Sequence, residues 1–206
     1  MECLYKACVE YWMIIETVQD NILDNAAECF IRLGIERSGM KDIAHAAGVA
    51  RSTLYRYFPT RDAMLIAVIE REMLEMAATM KRKLKAYTRP ADHLVEGLVI
   101  AIDEIPKRPL LNAVFAADEA SRVRRVVWNS DTIVKLGEDF LADVITPAIE
   151  QNLLQDTAAP EVLAEWVYRI LISFLTLPSN YVRNRKQLRT TLHGLLIPVI
   201  LKPQPN

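Results

Sequence analysis

The chain has 206 residues, 51% of them hydrophobic and 25% charged, with a formal net charge of −1. This composition excludes a disordered chain and leaves room for one large domain or for a small domain joined to a medium one. Near-neutrality gives no global signal for nucleic acid, so any such interface must be a local patch.

Only 6 glycines and few alternating apolar runs point to an all-α fold of about nine helices. Residues 1–19 read as an N-terminal extension of uncertain role. They carry Glu2, Glu10 and Glu16 and lack the basic start and apolar run of a signal peptide. From Asp20 to Leu33 the apolar face Ile22, Leu23, Ala26, Ala27, Phe30 and Ile31 predicts a helix, with Asp20 as its cap and Gly34 at its end.

Two short helical patterns follow. Met40–Ala47 puts Ile43, Ala44 and Ala47 on one face, and Gly48 supplies a C-terminal residue tolerant of positive φ. Arg51–Phe58 turns Leu54 and Phe58 inward. That leaves Arg51, Ser52, Thr53, Tyr55, Arg56 and Tyr57 on the outer side. Two helices, a tight glycine turn and a polar, basic second helix describe a helix-turn-helix over about residues 39–58. Between Arg37 and Arg61 the cations Arg37, Lys41, Arg51, Arg56 and Arg61 face Asp42 alone. A basic patch is therefore hidden inside a neutral chain. Neither helix start has a strong cap: Gly39 and Ala50 occupy those positions, with Ser38 as a substitute for the first.

Thr60 caps a fourth helix, predicted from Ala63 to about Tyr87. At roughly 35 Å it is long enough to connect two domains. Pro90 interrupts the pattern, and a domain boundary is placed there. Further helices are predicted over residues 91–105, 110–117, 119–127, 131–154 (kinked at Pro147), 160–177 and 186–201.

In the stretch from Pro160 to Leu177 and in the last helix, apolar residues cover more than one face, which requires burial on both sides. A two-fold dimer satisfies this, with Ile170, Phe174, Leu192, Leu195, Leu196 and Val199 as its expected interface. Phe115, Trp128, Phe140, Trp166 and Tyr168 are either plain core, the commoner role of aromatic residues at helical spacing, or the candidate lining of a ligand pocket. With few charges nearby, such a pocket suits a small, mainly apolar effector.

Enzymatic sites are absent from the pattern. No nucleophile is paired with a base, and no phosphate loop is present. Cys3, Cys8 and Cys29 form no CxxC pair, and His45, His93 and His193 are scattered, so neither a metal site nor a catalytic residue is expected. Free thiols in a reducing cytoplasm are the expectation for the cysteines. The longest uncharged runs fall short of the roughly 18–20 residues needed to span a membrane.

The string Ile22…Ala26-Ala27…Phe30…Gly34, Asp42-Ile43-Ala44…Ala47-Gly48-Val49…Thr53-Leu54-Tyr55-Arg56-Tyr57-Phe58…Arg61-Asp62…Leu65 resembles the DNA-binding domain of TetR-family (tetracycline-repressor-like) transcriptional regulators. The resemblance covers residues 20–65; the rest agrees only in layout. It implies a helix-turn-helix DNA-binding domain at 20–65, a connecting helix at 66–89, and an effector-binding and dimerisation domain at 90–206. It also implies DNA contacts from Lys41, Arg51, Ser52, Thr53, Tyr55, Arg56, Tyr57 and Arg61. Among these Arg51 is best suited to read a base, because a guanidinium grips guanine O6 and N7 through two bonds.

The function expected is a ligand-responsive repressor that binds a palindromic double-stranded operator as a homodimer, with no cofactor. The alternative from the residues alone is a helical dimer whose N-terminal corner contacts protein instead of DNA.

Overall fold

The computed structural model describes residues 2–115, 122–155 and 159–203. For residues 2–16, 122, 124, 128, 143–144, 160–161 and 164 it describes the backbone alone. Among the described residues the chain is all-helical. Its helices are α1 (Glu2–Leu33), α2 (Met40–Ala46), α3 (Arg51–Tyr57), α4 (Arg61–Leu84), α5 (Pro90–Glu104), α6 (Pro109–Phe115), α7 (Arg122–Trp128), α8 (Asp131–Glu150), α9 (Pro160–Thr176), α10 (Arg185–Thr191) and α11 (Ile197–Ile200). A 3-10 turn at Ile105–Lys107 joins α5 to α6.

Several boundaries differ from expectation, each for a local reason. Helix α1 starts at Glu2 and runs straight through Asp20, so Asp20 is an interior surface residue and not a cap. Pro90 does not break a helix but begins α5, where its missing N–H is no loss. The last predicted helix is divided. A π-helical turn, Leu192–Leu196, separates α10 from α11. Pro198 follows it; the proline ring crowds the carbonyl four residues back, and a wider turn relieves that clash. The ends of the helices predicted at 110–117 and 119–127 fall partly at 116–121, outside the described residues.

One hydrophobic core runs from Ile22 to Leu201. Helix α1 packs on α2 and α4. Helix α4, about 36 Å long from its 24 residues, continues upward against α5, α6, α7 and α8. Its stripe Met64, Leu65, Val68, Ile69, Met73, Met76, Met80 and Leu84 is buried throughout, which makes α4 the spine of the molecule. Helix α6 touches both α1 and α4.

Charged pairs tie helices at the rim. Arg71 bonds Asp24 at 2.8 Å, joining α4 to α1. Asp103 bonds Arg185 at 2.7 Å, and the buried Glu96 grips Arg189, joining α5 to α10. Lys83 and Lys107 both donate to Glu104 at 2.8 Å. These two ammonium groups hold the Glu104 carboxyl down at about 2.

Candidate nucleic-acid interface

The corner between α2 and α3 is built by glycine and by α1. Gly48 has φ of 65°. Its N–H donates to the His45 carbonyl at 3.2 Å, and the Val49 N–H donates to the Ala44 carbonyl at 3.0 Å. This paired closure ends α2 sharply and needs a left-handed residue at position 48. From below, Asn21 Nδ2 donates to the Ala47 carbonyl at 2.9 Å, so α1 clamps the turn itself. Leu54 and Phe58 plug the inner side of α3, with Leu54 fully buried.

The opposite side of α3 is open. Arg51, Ser52, Tyr55 and Arg56 are exposed, and Thr53 is partly so. The Arg56 guanidinium sits 5.4 Å from the centroid of the Tyr57 ring, and Tyr57 itself is half-buried against the core. Lys41 is exposed on the first turn of α2. His45 lies on the solvent side of the same helix. Four of the predicted contact residues thus share one exposed face of a seven-residue helix. Arg61 does not join it: its Nε donates to the Ser38 carbonyl at 2.9 Å, and its guanidinium lies 5.9 Å from the Phe30 ring centroid.

The helix starts behave differently from the substitutes expected for them. Ser38 does not cap α2, because its hydroxyl donates back to Cys29 and Gly34 carbonyls and is buried. Instead the Gly39 N–H donates to the Asp42 carboxylate at 3.0 Å. Ala50 leaves α3 without a side-chain cap. Thr60 caps α4 as expected, accepting from the Ala63 N–H at 3.0 Å.

Deeper in the molecule lies an apolar cavity of about 70 Å³ between α4, α5, α6, α8 and α9. Met73, Met76, Leu98, Phe115, Phe140 and Tyr168 form most of its aromatic and flexible wall. Of the residues predicted to line a pocket, Phe115, Phe140 and Tyr168 meet here. Trp166 does not; it points outward and is 49% exposed, because it lies on the face of α9 opposite the lining residues Val167 and Leu171. The Trp128 side chain lies outside the described residues. Gly137 on α8 also lines the cavity and was not anticipated.

The predicted dimer residues divide in the same way. Leu192 and Leu196 are buried within their own chain, at 2% and 3% exposure, which corrects their place in an interface between copies. Ile170 and Phe174 are half-buried, while Leu195 and Val199 are open to solvent.

An exposed polar helix, a glycine corner clamped from α1, and a long α4 leading away from them form an arrangement matched by known proteins. The sequence pattern described as "Bacterial regulatory proteins, tetR family" covers residues 22–68. Residues 22–68 thus carry the DNA-binding pattern of that family. The match points to DNA-binding transcriptional regulation.

An HTH-type transcriptional regulator of Mycobacterium tuberculosis is 29% identical over 185 residues, spanning 90% of this chain and 86% of that protein. The HTH-type transcriptional repressor KstR2 of the same species is 23% identical over 160 residues, 76% of this chain and 77% of its own. Among solved structures, the transcriptional regulator FadR from Bacillus subtilis in complex with stearoyl-CoA superposes with a TM-score of 0.61. It is 18% identical and covers 87% of this chain and 98% of that one. This likeness establishes the fold.

Among the described residues no group of acidic, histidine and cysteine side chains gathers as a metal site would require, and no helix is long and apolar enough to cross a membrane.

Proposed function

We propose that the protein is a cytoplasmic, ligand-responsive repressor that binds a palindromic operator as a homodimer. The exposed face of α3 carries the proposal: a basic and hydroxyl-rich surface on a helix whose inner side is locked into the core. Arg51 would read a base from the first turn. Ser52, Thr53, Tyr55 and Tyr57 would hold phosphates, with Arg56 and Lys41 beside them. On this reading residues 20–65 form the DNA-binding unit, 66–89 the connecting helix and 90–206 the effector and dimer domain, with 1–19 as an extension of the first unit.

Dimerisation is supported by an unpartnered apolar surface. Val162 and Trp166 on α9, Leu177 just after it, and Leu195 and Val199 near the C-terminus are between 49% and 74% exposed. A second copy covering this surface would remove it from water. It would also present two recognition helices about 34 Å apart, one per half-site.

The effector is proposed to be apolar or to carry an apolar chain. At about 70 Å³ the cavity is far below the roughly 300–1,000 Å³ of a drug-sized site, so a ligand must part its walls. Met73 and Met76 on α4 and Phe115 on α6 stand in its path, and methionine walls yield readily. Parting them moves α4 and α6, which pack on α1. The FadR structure with stearoyl-CoA, an acyl thioester, supports the same class of ligand here.

The test is Arg51→Ala. Duplexes enriched from a random pool by the wild-type protein should lose selective binding to the variant by about 10- to 100-fold, the scale of one bidentate base contact. The variant's melting temperature should be unchanged. Wild-type selectivity in Arg51→Ala would refute the assignment. Binding that is insensitive to salt would favour the protein-contact alternative, since phosphate contacts weaken steeply as salt rises.

A further inference from the structure

Helix α2 starts without a side-chain cap, because Gly39 has none to offer and Ser38 turns its hydroxyl back toward α1. What reaches this point is the first residue of α4. Arg61 Nε donates to the Ser38 carbonyl at 2.9 Å across 23 residues of chain. The Arg61 side chain is only 20% exposed, its Nη2 is buried with no hydrogen-bond partner, and its guanidinium lies beside the Phe30 ring of α1. One side chain therefore joins the beginnings of α4 and α2 to the end of α1. Helices α2 and α3, of seven residues each, are too short to hold an orientation alone, so it must come from such tertiary bonds.

We propose that Arg61 is a positioning residue for DNA binding, not a phosphate contact: it locks the start of α4 to the approach of α2, so that the helix-turn-helix and α4 turn as one body. The inference rests on the DNA-binding reading above. Arginine is suited to this work and lysine is not. A planar guanidinium can donate sideways from Nε while its face lies against an aromatic ring, whereas an ammonium is a compact, strongly hydrated charge.

A phosphate contact and a positioning bond differ in salt dependence. Duplexes are first enriched from a random pool by the full-length wild-type protein, and their affinity is then measured across a salt series for wild type, Arg61→Ala and Arg61→Lys. Positioning predicts that Arg61→Ala binds about tenfold or more weakly, the scale of one hydrogen bond from a charged donor. The slope of log affinity against log salt should stay unchanged. It also predicts that Arg61→Lys fails to restore affinity although the charge is kept. A phosphate contact predicts a slope reduced by about 0.9 per protomer, with affinity restored by lysine; either result overturns the proposal, as does wild-type affinity in Arg61→Ala. Should Arg61→Ala prove unfolded by circular dichroism, the affinity and slope of Arg61→Lys decide. Failure of the wild type to enrich any duplex would instead remove the DNA-binding reading, and this inference with it.

Discussion

Gly137→Ala places a methyl group into the cavity behind α4. Gly137 lies in the interior of α8 and lines the cavity, and a Cβ built there meets nothing within 4 Å. Two effects then act in the same direction. Alanine is favoured over glycine in a helix interior by about 0.8–1.0 kcal/mol, because the unfolded glycine has more freedom to lose. The added methyl also leaves water for an apolar space, contributing up to about 0.8 kcal/mol. No clash offsets them, so the variant should be about 1–2 kcal/mol more stable. For a chain of this size that raises the melting temperature by about 2–8 °C. Urea unfolding followed by circular dichroism, at fixed protein concentration, should show a higher midpoint with an unchanged slope. A neutral or destabilised variant would refute the reasoning, since it would mean that the walls already close on Gly137.

Two further outcomes follow from the structure. Leu195→Arg, at a position 74% exposed in the protomer, should convert the proposed dimer to a monomer in sedimentation experiments at micromolar concentration while leaving the helical signal intact; a persisting dimer would move the interface elsewhere. Glu104→Gln should destabilise the protein by up to about 1 kcal/mol at neutral pH, because it breaks the bonds from Lys83 and Lys107 at a rim that water still screens. The Glu104 carboxyl is lowered from 4.5 to about 2 in the fold. Its contribution is therefore present above pH 4.5 and lost as pH falls toward 2. The gap between wild type and variant in denaturant midpoints should close over that window, and a gap constant with pH would contradict the assignment.

Local pattern carried the helix-turn-helix. Ile43, Ala44, Ala47, Leu54 and Phe58 are buried where their 3–4 spacing put them. Gly48 has the positive φ its place after α2 requires, and Thr60 caps α4. Each of these is decided within a few residues of chain, by helix periodicity or by one side chain meeting a nearby N–H. The exposed side of α3 was legible for the same reason, as the complement of its buried stripe.

Contacts between distant segments were not legible. Asn21 clamping the Ala47 carbonyl, and Arg71 meeting Asp24, depend on how helices cross, which periodicity does not encode. A long basic side chain reads the same in sequence whether it extends to solvent or folds back, so Arg61 looked like Lys41 until the Ser38 carbonyl and the Phe30 ring were seen beside it. The two-sided apolar helices raised the same ambiguity. Both faces demanded burial, but only packing decided that Leu192 and Leu196 turn into their own chain while Leu195 and Val199 turn out. The amino-acid sequence thus determined which residues make helices and which faces are apolar. The tertiary structure decided which neighbour each face and each charge would meet, because that choice is made by the whole core packing at once.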